Sequence, residues 1–167
     1  MSTPSLTTPS STTPSSSTPS STPARSDAAL LELIRYQGAY ATPEQAERVT
    51  AAVLDALGQQ IVGDERVDLT RQLPPRAARR FAQALPAPRP LTAHAFVKAL
   101  AESTGAPYAT TRWHVGSVLG ALARTVDKEL LQRILAQLPS GYALLFGQAD
   151  LMVAARRLPA DQVVQAA

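Results

Sequence analysis

The feature that most constrains the fold is an internal repeat with a spacing of 65 residues. Residues 53–81 align without a gap on residues 118–146, with nine identities in 29 positions. Each segment contains the phrase Gln-Leu-Pro and ends at a phenylalanine, Phe81 in the first and Phe146 in the second. Most shared residues are apolar and recur at helical spacing, which indicates a common packing surface. The repeat therefore predicts two similar helical units in one chain.

The first unit is predicted to contain four helices. A short amphipathic helix follows Ser26, and a longer one starts at Thr42 as N-cap with Pro43 at its first position. Pro74 is expected to end the third helix, because proline restricts its predecessor and has no N–H to donate. We expect the fourth helix to bury apolar residues as far as Leu85.

The second unit repeats this pattern after a proline-rich connector. Its first helix is predicted to start after Thr92, and Ser140 is expected to cap a short last helix. Gly116 and Gly120 lie four residues apart on one face of a long helix predicted from Trp113 through Val126, where we expect them to allow a close helix crossing. No segment alternates with period two, so the predicted fold class is all-α, a helical bundle of two similar three- to four-helix repeats.

Composition divides the chain into three parts. Apart from Leu6, residues 2–23 contain only Ser, Thr and Pro, which cannot bury enough apolar surface to fold. The predicted organisation has a disordered tail, a tandem-repeat domain with two copies, and a helical appendix. The corresponding ranges are 1–25 for the tail, 26–147 for the domain with copies at 26–85 and 91–147, and 148–167 for the appendix.

Several classes of chemistry are missing from the sequence. There is no cysteine, so disulfides and thiolate metal sites are excluded, and the simple nucleotide-binding glycine loops do not occur. The two histidines have no zinc-ligand spacing, and His114, beside Trp113 on an apolar helix, is expected to be structural. We expect no catalytic residue, metal or cofactor, and therefore no enzyme. Lacking a leader pattern or a membrane-length apolar run, the chain is expected to be cytoplasmic with no membrane association.

One region is locally basic although the net charge is only +3. Six arginines and one acid lie between positions 66 and 89. Five of these arginines are the candidate contacts for nucleic acid or a partner, namely Arg66, Arg71, Arg76, Arg79 and Arg80. On a helix that starts near Pro75, the last three share one face. The alternative is that they solvate the helix or that Arg79 and Arg80 pair with Asp64, Glu65 or Asp68.

Residues 46–74 and their counterparts at 113–146 resemble the bacterial family called domain of unknown function 2267. The resemblance rests on the Val-Leu-x-x-Leu end of the long helix and on the Gln-Leu-Pro phrase, and it extends over residues 28–147. The second copy lacks the glycine of the expected turn and has Asp127-Lys128-Glu129 there. The resemblance implies a helical fold and a bacterial origin, and it brings no established activity or site residue.

Three functions are compatible with these observations. The first is a non-enzymatic helical scaffold or protein-interaction module, whose partner protein the sequence does not identify. The alternative is a nucleic-acid-associated protein that binds through the arginine-rich face. The third is an enzyme with an unfamiliar site. We favour the first, because neither catalytic motifs nor base-stacking aromatic residues are evident. The oligomeric state does not follow from the sequence.

Overall fold

The structure is a computed structural model that describes residues 26–148. Its described part contains eight helices and no strand. In chain order they are α1 (Asp27–Gly38), α2 (Pro43–Gly58), α3 (Gly63–Gln72), α4 (Pro75–Gln83), α5 (Ala93–Thr104), α6 (Tyr108–Thr125), α7 (Lys128–Gln137) and α8 (Tyr142–Leu145). The all-α prediction is confirmed. The predicted tail at 1–25 and all of the predicted appendix after Gln148 lie outside the described residues.

Local sequence determines most helix starts. The hydroxyl oxygens of Ser26, Thr42 and Thr92 each accept a hydrogen bond from the backbone N–H three residues later, at 3.1–3.2 Å. These are the N-cap bonds expected when a hydroxyl side chain precedes a helix. The predicted break at Pro74 is also confirmed, since α3 ends at Gln72 and α4 begins two residues after Leu73.

Three local predictions are wrong. The last helix is preceded by Gly141 in a left-handed conformation (φ 102°) and Ser140 does not cap it. Leu85 lies beyond the end of α4 and is 85% exposed. The long second-unit helix starts at Tyr108, one and a half turns before the predicted start at Trp113. In each case a helix was correctly predicted, but its boundary or cap differs from the prediction.

All eight helices contribute to one hydrophobic core. Helix α6 is central, because it packs against α1, α2, α5 and α8 and buries seven of its residues. Helix α4 covers α2, and α3 packs against α7. The two leucines of the repeated phrase, Leu73 and Leu138, are both buried, as predicted. No other described helix covers one face of α6, beside α1.

The two glutamines of the repeated phrase bind the opposite half of the molecule. Gln72 accepts a hydrogen bond from the Asp127 backbone N–H (2.8 Å) and donates to the Asp127 carboxylate (2.7 Å). Gln137 accepts from the Val62 N–H and donates to the Val62 carbonyl, both at 3.1 Å. Val62 and Asp127 directly precede α3 and α7 and are themselves matched positions in the aligned repeat. The duplication as such stays a prediction from sequence.

Candidate interaction surface on helix α6

Arg66, the first of the predicted contact residues, has its guanidinium turned towards the protein. It donates hydrogen bonds to the carbonyl oxygens of Gly58, Ile61, Phe81, Ala82 and Ala84. The same group lies 5.1 Å from the centre of the Phe81 ring. Most of these carbonyls belong to the last turns of α2 and α4 or follow them, where backbone acceptors lack helical partners. The structure therefore gives Arg66 a role in joining two helix ends.

Three of the other four arginines are held in ion pairs. Arg71 pairs with Asp68 at 3.3 Å, Arg76 with Glu47 at 3.4 Å, and Arg80 with Asp55 at 2.7 Å. Arg80 thus pairs with a carboxylate of α2, and none of the three acids proposed for it from sequence is its partner. Arg79 is exposed and has no ion pair within the part of the chain that the structure describes. The five arginines do not form one free basic surface, and their binding role stays untested.

An open cleft lies on the other side of the molecule, between α6 and the end of α1. Its volume is about 540 Å³. Six of its lining residues come from α6 and one from α1: Ala109, Arg112, Trp113, Gly116, Ser117, Gly120 and Gln37. The cleft is wide, shallow and partly apolar.

The floor of the cleft is made by two glycines. A Cβ atom built on Gly116 meets nothing within 4 Å, and one on Gly120 meets only the Gln37 side-chain oxygen at 3.5 Å. No helix among residues 26–148 therefore requires glycine at either position for a close crossing. Glycine in a helix interior is about 1 kcal/mol less favourable than alanine. Within residues 26–148, no packing contact accounts for their presence.

Trp113 forms one wall of the cleft. Its side chain is 57% exposed, and its Nε1–H donates to the Gly38 carbonyl at 3.1 Å. That carbonyl lies at the C-terminal end of α1, where backbone acceptors lack helical partners. The hydrogen bond fixes the ring against α1 while its face stays accessible. A rigid, half-exposed tryptophan is the residue type most often found at the centre of protein interfaces.

His114 lies next to Trp113 and points to the other side of α6. Its Nδ1 is 2.8 Å from the Tyr40 hydroxyl, and the ring is half-buried. Burial lowers the pKa of His114 and raises the pKa of Tyr40, so both groups are neutral near pH 7. The expectation that His114 is structural agrees with this hydrogen bond across the core.

Among residues 26–148, no group of three or more His, Asp or Glu side chains is placed to hold a metal ion. None of the helices in the same range is long and apolar enough to cross a membrane.

The cleft was not predicted from the sequence, because its two glycines were assigned to a close helix crossing. The spacing of Gly116 and Gly120 was visible, and so was the tryptophan one turn earlier. The tertiary structure determines which element packs on a helix face, and the local sequence of α6 does not show it.

One comparison with known proteins identifies the family. The model of the DUF2267 family, described as an uncharacterized conserved protein, matches residues 27–145, which is more than half of the chain. The chain belongs to this family. The resemblance seen in the sequence is thereby confirmed, and the match includes all eight described helices. Among proteins with curated descriptions, none matches.

Proposed function

We propose that this DUF2267 protein is a non-enzymatic protein-interaction module of the bacterial cytoplasm, and that the α6 cleft receives a helix of a partner protein. The observation that carries the proposal is the open helix face at Gly116 and Gly120, next to the exposed ring of Trp113. Side chains on an i±4 row form the ridges of a helix surface. Where two successive members of such a row are glycines, the ridge becomes a groove that accepts the ridge of another helix.

A comparison within the chain supports a helix as the occupant. At the 65-residue spacing of the repeat, Asp55 of α2 corresponds to Gly120 of α6, and Glu47, six residues before the aligned segment, corresponds to Arg112. Glu47 and Asp55 are ion-paired with Arg76 and Arg80, so α4 covers that face of α2.

Within residues 26–148, the matching face of α6 has no such cover. Helix α8, at the place of α4 in the aligned repeat, has only four residues, whereas α4 has nine. A partner helix in the cleft would occupy on α6 the place that α4 occupies on α2.

The charges beside the cleft indicate which kind of partner helix would bind there. Arg112 and Arg124 lie at the two ends of the i±4 row that contains the glycines, both are exposed, and neither is ion-paired within the described range. Arg112 stands where α2 has the carboxylate of Glu47, so the charge is reversed relative to the α2–α4 contact. The partner helix is therefore one with acidic residues beside an apolar face, which complements these arginines.

Site-specific photo-cross-linking in bacterial cells tests the proposal. Benzoylphenylalanine replaces Ala109, which is exposed and lines the cleft, and in a matched control it replaces the exposed Ala82 of α4. We expect a protein adduct from position 109 that is absent from position 82. Because a Cβ at Gly116 meets nothing, Gly116→Leu leaves the fold intact, fills the groove and removes the adduct.

The adduct's peptides, identified by mass spectrometry, decide between outcomes. A cross-linked segment with helical periodicity and acidic flanks supports the proposal. An adduct that Gly116→Leu does not remove contradicts it, as does a cross-link to residues 149–167 of the same chain. Nuclease treatment before analysis leaves a protein adduct unchanged and removes one bridged by nucleic acid.

The nucleic-acid alternative keeps one observation in its favour, the exposed and unpaired Arg79. Arg76 and Arg80, on the same face, are already paired with carboxylates, which reduces their attraction to phosphates. The affinity for duplex DNA and RNA, measured between about 50 and 200 mM salt, shows how strongly this face still attracts phosphates. A steep salt dependence of binding that replacement of Arg76, Arg79 and Arg80 by serine flattens would favour this alternative.

A further inference from the structure

A second cavity lies on the opposite side of α6 from the cleft, where α2 and α5 meet the start of α6. Its volume is about 350 Å³. Apolar side chains make most of its wall, namely Val49, Ala52, Val53, Leu100 and Ala106. It continues into a groove of about 490 Å³ along α2 and α5, which shares four lining residues with it, Arg48 among them. The size is within the range of small-molecule sites in proteins.

Few polar groups face this cavity. The hydroxyls of Thr104 and Thr111 are occupied as donors, to the carbonyls of Leu100 (2.8 Å) and Pro107 (3.1 Å). Arg48 lies at the rim, exposed, with no ion pair or hydrogen bond in the described structure. It interacts electrostatically with Glu44, which lies one turn earlier on α2 and is fully exposed. The guanidinium is therefore available to a ligand.

His114 also lines the cavity. Its Nδ1 lies 2.8 Å from the Tyr40 hydroxyl, and Tyr40 does not line the cavity. With Tyr40 as the donor to Nδ1, the neutral imidazole carries its proton on Nε2, which leaves this N–H for a ligand. The cavity thus combines an apolar wall with a cation at its rim and a histidine.

We propose that this cavity binds a small apolar monocarboxylic acid, with the carboxylate between Arg48 and His114 and the hydrocarbon chain against Val49, Val53 and Leu100. A carboxylate accepts from both donors, while the apolar wall excludes ligands that are polar throughout. This site uses neither the cleft nor its glycines, so it is independent of the interaction proposed above.

Isothermal titration of the full chain with decanoate and with decanol, both below their aggregation concentrations, tests the assignment. The two probes share the hydrocarbon chain, so their difference isolates the carboxylate. We expect saturable binding of decanoate, about tenfold tighter than that of decanol, as for a charge-assisted hydrogen bond. Arg48→Gln should reduce the decanoate affinity to that for decanol. Arg89→Gln, an exposed arginine of the connector between α4 and α5 that does not line the cavity, should leave it unchanged.

A second readout locates the ligand. The His114 ring resonances should shift on addition of decanoate, and those of His94, which lies outside the cavity, should not. Two results would overturn the proposal. One is the absence of saturation with decanoate, and the other is equal affinity for both probes in the native chain and in Arg48→Gln. Since Arg48 is exposed, its replacement does not disturb the core, and loss of binding cannot be attributed to unfolding.

Discussion

Replacing the cleft glycines by alanine should stabilise this protein. In Gly116→Ala the new methyl group meets nothing within 4 Å, and in Gly120→Ala it meets one amide oxygen at 3.5 Å, an ordinary contact distance. Neither change introduces strain, so each should recover the helix propensity that glycine lacks, about 1 kcal/mol. For a domain of this size that corresponds to a rise of roughly 3–5 °C in the unfolding midpoint.

Two other glycines serve as controls with the opposite sign. In Gly58→Ala the new Cβ would lie 2.4 Å from the Phe81 carbonyl oxygen, and a backbone atom cannot move away easily. Helices α2 and α4 would have to separate, at a cost of about 1–3 kcal/mol. Gly105 has open space around it but a left-handed backbone (φ 67°), so alanine there is destabilising for a conformational reason. The space around the new Cβ and the backbone conformation together determine whether each substitution raises or lowers the free energy of unfolding.

Urea unfolding monitored by circular dichroism gives the free energies of unfolding for the four variants. A fall in the free energy of unfolding of Gly116→Ala, similar to that of Gly58→Ala, would refute the reasoning. It would show that the face of α6 is covered in solution by part of the chain itself. In that case the cleft could not receive a partner. A stabilised Gly116→Ala together with a binding-deficient Gly116→Leu would separate function from stability at one position.

Three further expectations can be checked by the same unfolding measurements. Tyr142→Phe should be neutral or stabilising by about 1 kcal/mol, because the buried hydroxyl has no hydrogen-bond partner in the described structure. Stability should fall as the pH drops below about 6.5, because burial lowers the pKa of His114 and the unfolded chain then binds more protons. His114→Gln should remove this pH dependence and His94→Gln should not. Gln72→Ala and Gln137→Ala should each cost about 0.5–1.5 kcal/mol, because each removes hydrogen bonds between distant segments and leaves an exposed backbone N–H that water can bind.

The parts of the fold that local chemistry decides were predictable. A hydroxyl before an apolar helix, as at Thr42, can form its cap with residues three positions away. Pro74 ends α3 through its own geometry. The errors came where the chain path beyond the element mattered. Leu85 was expected in the core, but α4 ends at Gln83 and the proline-rich connector carries the leucine to the surface.

The candidate sites were less predictable, for a physical reason. Arg66 and Arg79 have the same side-chain chemistry, yet the first donates to five carbonyls and the second has no ion pair within residues 26–148. The difference depends on where the ends of α2 and α4 meet, which is a tertiary fact. In the same way, Gly116 is equally consistent with a close helix crossing and with an open groove until the neighbours of α6 are known.

The hydrogen bonds of the Gln-Leu-Pro phrase give a physical reason for its double occurrence. Gln72 binds the backbone at position 127 and Gln137 binds it at position 62, and the same spacing of 65 residues relates both pairs. The predicted duplication of the two halves would account for this reciprocity. The backbone N–H is bound in both cases, whereas the glutamine amide donates to the Val62 carbonyl in one case and to the Asp127 carboxylate in the other. The glutamine cannot vary in the same way, because its amide must donate and accept at once, and the same residue therefore occurs in both halves.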